Sequence, residues 1–173
     1  MTAIVAAETD THVYLAADRR IIDDSDGQIF QSAVPKIINP CEGLYIASAG
    51  RLWHTHYFKQ VNIKTEDPII WLKQASIAYY EWLIEKDIPK DTDDSVAICS
   101  EGIYGFDSEG LLIKFEGTFT AGTGGPAVAG ALALLHQILN KPISKSTIMM
   151  ALEASALTNA SVGGPFDIFT IKK

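Results

Sequence analysis

The chain has 173 residues, of which 47% are apolar and 20% charged, as in an ordered globular domain. Its formal net charge of -7 argues against a nucleic-acid backbone or an anionic membrane as the main partner. No apolar run reaches the roughly 18 to 20 residues of a membrane span, and the first residues do not resemble a secretion signal. We therefore expect one cytoplasmic domain over residues 1–173, with Cys41 and Cys99 reduced.

The first half of the chain predicts a hairpin, further strands and then two helices. Short apolar runs separated by polar turns give strands at 3–7, 13–17, 29–30, 36–38 and 44–48. The period then becomes helical, around 52–57 and more strongly from Pro68 to Lys86, where Pro68 suits a first helical turn. An aspartate-rich loop at 23–27 lacks the spacing and terminal glutamate of a calcium loop, so the sequence identifies no metal ligands.

The second half repeats the grouping of strands followed by two helices. Strands are predicted at 95–99, 103–107, 111–116 and 118–122, with hairpin turns at 101–102 and 108–110. Helices are predicted at 126–139 and from the N-cap candidate Ser144 to Leu157, before a last strand at 166–171. Strands and helices in blocks, without regular alternation, predict an α+β fold. Two antiparallel sheets flanked by helix pairs, a four-layer αββα sandwich, would bury all four apolar helix faces.

Thr2 is the first candidate for chemistry. Once the initiator methionine is removed, a threonine at this position carries a hydroxyl nucleophile and a basic α-amine on one residue. Many proteins begin with Met-Thr, so the position needs support from elsewhere in the chain.

Three polar features at the ends of apolar strands supply that support, although each has a structural explanation. Asp18 follows two alanines and precedes two arginines; it is either a charged strand end or a buried carboxylate. Lys36 is either an edge charge or an ammonium that pairs with Asp18 and lowers the pKa of a threonine hydroxyl. The glycine-rich segment 122–126 is either a tight strand-to-helix turn or a backbone approach that presents Thr123 to an active site.

Taken together and in this order, these motifs resemble those of proteasome β-subunits and of the bacterial HslV-type peptidases. The resemblance runs from Thr2 to about Asp167 and includes Ala49-Gly50 before a helix. It implies an N-terminal-nucleophile hydrolase fold and threonine-type endopeptidase activity. The short chain is more similar to the bacterial peptidase.

The resemblance also assigns roles to individual residues. Thr2 matches the nucleophile, Asp18 and Lys36 the buried ion pair beside it, and Gly50 the glycine whose backbone N–H forms the oxyanion hole. Thr123 stands where the family usually has serine. The residues expected to lie along the substrate are Ile22, Ser48 and Ala49, and the small side chains at 48 and 49 suggest a roomy pocket.

The match is weaker near the C-terminus. Aligned on Gly163 and Asp167, Asn159 occupies the place of a family aspartate and Val162 that of a serine, for which Ser161 could substitute after a shift of one residue. Asparagine keeps hydrogen bonding but removes a negative charge from near the α-amine.

The resemblance further implies a homo-oligomeric ring of six or seven subunits, stacked in two layers, that cleaves unfolded polypeptide without a cofactor. An ATP-dependent unfoldase would be the partner, since the chain has no ATP-binding motif. Two alternatives stay open: an inactive structural ring subunit of the same fold, and a small-molecule amidase. His54 and His56 are expected on a helix surface or ring interface rather than at a metal.

Overall fold

The computed structural model describes residues 2–22, 28–50, 53–89, 93–106 and 111–173. The aspartate-rich loop at 23–27 and the predicted turn at 108–110 lie outside the described residues. In chain order the strands are β1 (Ile4–Glu8), β2 (His12–Asp18), β3 (Arg20–Ile22), β4 (Ile29–Gln31), β5 (Ile37–Cys41), β6 (Leu44–Gly50), β7 (Asp93–Cys99), β8 (Gly102–Phe106), β9 (Leu112–Phe115), β10 (Thr118–Ala121) and β11 (Phe166–Lys172). The α-helices are α1 (Trp53–Gln60), α2 (Pro68–Glu85), α3 (Gly125–Ala133) and α4 (Lys145–Thr158).

Two antiparallel sheets form the centre of the fold. One has the strand order β10-β1-β2-β11, and the other has the order β5-β6-β7-β8-β9. The short strands β3 and β4 pair with each other in a separate two-stranded sheet. The first strand of the chain, β1, is therefore central in its sheet, with β10 on one side and β2 on the other.

Alternating side chains of the strands divide the interior into three apolar layers. Side chains such as Val5 and Ala16 face α3 and α4, where they meet Val128 and Leu152. The opposite faces of the two sheets pack against each other, and the far face of the second sheet packs against α1 and α2. The αββα sandwich predicted from the element order is confirmed.

Local signals in the sequence explain the helix starts that were predicted well. Asp67 caps α2, because its carboxylate accepts hydrogen bonds from the backbone N–H groups of Ile69 and Ile70 at 2.8 and 3.0 Å. Ser144 and Thr147 form a reciprocal capping box at the start of α4. No described helix is long and apolar enough to cross a membrane.

Among the described elements, the third helix and β3 differ from the sequence prediction. The third helix is α-helical only to Ala133 and continues as a π-helical turn, Leu134–Ile138, which closes with a bond from Leu139 N–H to the carbonyl of Leu134. The strand β3 was not predicted, since its three residues are too few to show a period.

Candidate active site

Thr2 lies two residues before β1, at the end of the central strand pair. The pairing of Ile4 with Ala17 on one side and Ala121 on the other brings the ends of β2 and β10 beside it. Thr2 is buried, at 2% exposure. The strand register thus explains how residues near 2, 18 and 122 converge, although they are far apart in the sequence.

A buried ammonium group contacts the hydroxyl of Thr2. Lys36 Nζ donates to Thr2 Oγ1 at 2.8 Å, to Asp18 Oδ1 at 2.8 Å and to the backbone carbonyl of Arg20. Three donors are all that an ammonium has, so these acceptors fix its position. Lys36 is 3% exposed and Asp18 is fully buried.

Asp18 binds groups on both of its oxygens. Besides the ammonium, Oδ1 accepts the backbone N–H of Ala3 at 3.0 Å, and Oδ2 accepts that of Arg20 at 3.2 Å. The carboxylate therefore holds the strand that carries Thr2 and the lysine that contacts it. Burial lowers the pKa of Lys36 below its ordinary value, against the opposing effect of the Asp18 charge.

The glycine-rich turn approaches Thr2 from the other side. Gly124 N–H donates to the carbonyl of Thr2 at 3.0 Å. Gly122 has a φ of +76°, and a Cβ atom built on it would lie 2.2 Å from that same carbonyl oxygen. Only glycine combines this backbone conformation with so close an approach. The turn therefore sets the position of the Thr2 backbone.

Thr123, Asn159 and Ser161 form a hydrogen-bonded group next to this turn. Thr123 Oγ1 lies 3.4 Å from Ser161 Oγ, and the Ser161 hydroxyl and backbone N–H both donate to Asn159 Oδ1. Asn159 Nδ2 donates to the Thr123 carbonyl at 3.2 Å. Val162 is fully buried in the apolar layer under α3 and α4. The hydroxyl in this group thus comes from Ser161 and not from the position first aligned with the family serine.

Arg20 is a residue of the site that the sequence interpretation did not single out. Its guanidinium donates to the backbone carbonyls of Ala160 and Val162 at 2.6 and 2.8 Å, while its own carbonyl accepts from Lys36. It therefore ties the turn that carries Asn159 and Ser161 to the Lys36 site. The unusual pair of arginines after Asp18 was the available signal, but only one of the two has this role. Arg19 instead forms a bidentate pair with Asp167 at 2.8 and 2.6 Å.

The end of β6 runs past Lys36. Ile37, the next residue, pairs with Ala47, and three further residues of β6 follow, ending at Gly50. Gly50 is exposed and has a φ of +106°.

Two of the three residues expected along the substrate have buried side chains. Ser48 and Ala49 are 1% and 2% exposed, so neither lines an open pocket as was expected from their size. Both side chains pack inside the protein, and a place for these residues along the substrate stays a prediction. Any contact that they make with a peptide would use the backbone. Ile22 ends β3, and its side chain lies outside the described residues.

The two histidines on α1 have different environments. His54 is buried, and its ring packs against the rings of Phe58, Tyr79 and Phe106. The expected surface position is therefore wrong for His54. His56 is exposed, and its Nε2 lies 3.2 Å from Gln60 Nε2. Within the described part of the chain, no group of three or more metal-ligating side chains is present.

Comparison with solved structures shows the fold. BPH from Thiobacillus denitrificans, in complex with epoxomicin, matches with a TM-score of 0.79 and 18% identity over 98% of each chain. HslV from Trypanosoma brucei matches with a TM-score of 0.76 and 16% identity over 99% of each chain. Anbu, an ancestral β-subunit from Yersinia bercovieri, matches with a TM-score of 0.68 and 17% identity over 97% of this chain and 80% of that one. No family model and no curated protein matches.

These likenesses extend over nearly the whole chain, and they identify the fold as that of the HslV and proteasome-like N-terminal-nucleophile hydrolases. The fold implied by the motifs around Thr2 is confirmed.

Proposed function

We propose that this chain is a threonine-type endopeptidase subunit with Thr2 as its N-terminal nucleophile. The observation that carries the proposal is the buried contact of Lys36 Nζ with both Thr2 Oγ1 and Asp18 Oδ1, each at 2.8 Å. The positive charge of the Lys36 ammonium beside the Thr2 hydroxyl favours the ionised form of that hydroxyl, which is the form that attacks a carbonyl. The activity requires that whatever precedes Thr2 is removed, so that its α-amine is free.

The proposed reaction proceeds through an ester. The α-amine of Thr2 takes the hydroxyl proton as Oγ1 forms a bond to the peptide carbonyl carbon, and the Gly50 N–H donates to the resulting oxyanion. The C–N bond then breaks, and the departing amine takes the proton from the α-ammonium. Water hydrolyses the ester by the same steps and restores the free threonine.

Extended polypeptide is the substrate that suits the strand edges beside Lys36. Beyond Ala47, β6 is paired only with β7 among the described residues, and β3 is paired only with β4. A peptide lying along such an edge gains backbone hydrogen bonds without regard to its sequence. An unfolded chain presents a backbone in this form along its whole length. This supports an endopeptidase of unfolded protein over an enzyme for a compact small molecule.

We further propose that the subunit works in a homo-oligomeric ring of six or seven copies, in two stacked layers. Both outer helix layers expose large apolar side chains. On α2 these are Ile70, Ile77 and Ile84, at 46%, 59% and 58% exposure, one on every second turn. On α4, Leu157 is 88% exposed. Apolar faces of this kind mark contacts with other chains. An ATP-dependent unfoldase would supply substrate to the enclosed sites.

The test is covalent labelling of the protein by epoxomicin, read by intact mass. An epoxyketone offers electrophilic carbons to the hydroxyl and to the amine of an N-terminal threonine. We expect an untreated mass that begins at Thr2 and a single adduct after treatment. The Thr2→Ala variant should form no adduct, and Thr2→Ser should form one. A wild type whose Thr2 amine is free and which still forms no adduct would rule out the nucleophile.

Two other functions on this fold predict different results. A structural ring subunit would assemble, as native mass spectrometry would show, but would form no adduct. A small-molecule amidase would form the adduct and hydrolyse simple amides, but would leave casein intact. The neutral Asn159 in place of an acid is the observation that favours the first alternative. Labelling, casein digestion and native mass together distinguish the three.

A further inference from the structure

The last three residues of β6 are held from one side only. Ala47 is the last residue of β6 that pairs with β5, whereas the pairing with β7 continues through Ser48, Ala49 and Gly50. Gly50 therefore depends on β7 for its position among the described strands.

A buried hydrogen bond reinforces this pairing where the β5 partner ends. Ser48 and Ser95 lie opposite each other in the β6–β7 register, and Ser95 Oγ donates to Ser48 Oγ at 2.8 Å. The two side chains are 1% and 4% exposed. Because a buried hydroxyl is costly without a partner, the pair favours one register of the two strands.

The bond lies on the helix side of the sheet. Ala47 and Ala49 belong to the layer between the two sheets, whereas Ile46 and Ala97 face α1 and α2. Since side chains alternate along a strand, Ser48 and Ser95 share the face of Ile46 and Ala97. Ser95 is buried on this face and bonds Ser48, so the backbone of β6 is its connection to Gly50.

We propose that Ser95 is a positioning residue for the oxyanion site, which fixes the Gly50 N–H through its hydrogen bond to Ser48. This inference rests on the proposed function, in which Gly50 donates to the oxyanion. Loss of an oxyanion donor lowers kcat by about 100- to 1,000-fold, so a loosened donor should cost about tenfold. In Ser95→Ala we expect that decrease in kcat, with KM changed less than about twofold, since ground-state binding does not use the donor.

A pair of inhibitors isolates the oxyanion contact. A peptide aldehyde adds to the threonine hydroxyl and forms a hemiacetal whose oxygen occupies the oxyanion site, whereas the matching peptide alcohol binds without that bond. Ser95→Ala should weaken the aldehyde about tenfold and leave the alcohol unchanged. Ser95→Thr, which keeps a hydroxyl, should restore the affinity for the aldehyde. Hydrogen exchange of the 44–50 segment should be faster in Ser95→Ala, and that of 70–85 unchanged.

A matched control removes another buried hydroxyl. Ser76 is 1% exposed and lies on α2, outside the two strands that the Ser48–Ser95 bond joins. Ser76→Ala should lower stability without changing the ratio of aldehyde to alcohol affinity. If Ser95→Ala does not fold, Ser48→Ala breaks the same bond from the acceptor side. When both fold, their effects on kcat should not add.

The outcomes separate this inference from the proposed function. A wild type that forms an epoxomicin adduct, together with a Ser95→Ala variant of unchanged kcat and unchanged aldehyde affinity, overturns the role of Ser95 alone. Equal losses for the aldehyde and the alcohol would also overturn it, since they indicate a general defect of binding. A wild type with a free Thr2 amine and no adduct overturns both proposals.

Discussion

Lys36 and Asp18 form an ion pair inside the protein, with a distance of 2.8 Å between Nζ and Oδ1 and side-chain exposures of 3% and 0%. Neither charge has access to bulk water, so each depends on the other and on its hydrogen bonds. The pair also joins two sheets, since Asp18 ends β2 and Lys36 immediately precedes β5. It is thus a structural connection as well as a part of the proposed site.

Removing one partner of this pair should destabilise the protein strongly. A single change, Asp18→Asn or Lys36→Met, leaves the opposite charge buried without compensation, and we expect a loss of about 3–5 kcal/mol in the free energy of unfolding. The double variant should lose less than the sum of the two single variants, because no uncompensated charge remains. Urea unfolding of the four proteins measures this coupling. Additive losses would mean that the two charges do not compensate each other.

Gly122 should tolerate no side chain, for a reason that Gly117 does not share. Both have positive φ, +76° and +78°, but a Cβ on Gly122 would lie 2.2 Å from the Thr2 carbonyl oxygen, whereas nothing lies within 4 Å of one on Gly117. Each alanine variant incurs the left-handed backbone cost of about 1–2 kcal/mol. Only Gly122→Ala must also displace Thr2.

We therefore expect Gly122→Ala to slow the epoxomicin reaction by about 100-fold, the scale on which small misplacements of reacting groups act. Gly117→Ala should retain the wild-type rate despite a similar backbone cost. The rate of adduct formation, followed by intact mass, makes the comparison. Equal rates in the two variants would show that the turn does not position the nucleophile.

Ser161, rather than Val162, should supply the hydroxyl beside Thr123. Ser161→Ala removes a group that lies 3.4 Å from Thr123 Oγ1 and bonds Asn159, so we expect kcat to fall. Val162→Ser places a hydroxyl in a fully apolar layer and should cost about 1–3 kcal/mol of stability without any gain in kcat. Peptide hydrolysis and urea unfolding of both variants test this. A rise in kcat for Val162→Ser would favour the alignment without the shift.

Some features of the fold and of the candidate site could be predicted from the sequence, and others could not. Helix starts at Pro68 and Ser144 were predictable, because capping and proline placement act within a few residues. The order of strands and helices was enough to predict four layers. Whether Ser161 or Val162 supplies the hydroxyl, however, depends on which of the two side chains faces α3 and α4. The local sequence of a turn does not indicate this. Two other contacts likewise join segments that are distant in the chain. They are the hydrogen bond of the Arg20 guanidinium to the Ala160 carbonyl and the Ser48–Ser95 bond.

The charge on Lys36 should limit the activity at high pH. The proposed attack needs the ammonium, and burial lowers its pKa below the ordinary value of 10.5. We therefore expect kcat/KM to fall as pH rises, with an apparent pKa below 10.5. The effect on stability has the opposite sign. Between the lowered pKa and that of the unfolded chain, the unfolded chain binds more protons, so the contribution of Lys36 to stability increases with pH in that window.

Activity and the contribution of Lys36 to stability should change in opposite directions as pH rises, which makes the proposed role of the Lys36 charge testable. Unfolding at high pH would lower activity and stability together, whereas titration of Lys36 lowers activity while its own contribution to stability rises. Comparing the wild type with Lys36→Met by urea unfolding across this range isolates that contribution, because every other titrating group is present in both proteins. A kcat/KM profile that stays level through pH 10.5 in folded protein would contradict a catalytic role for the charged form.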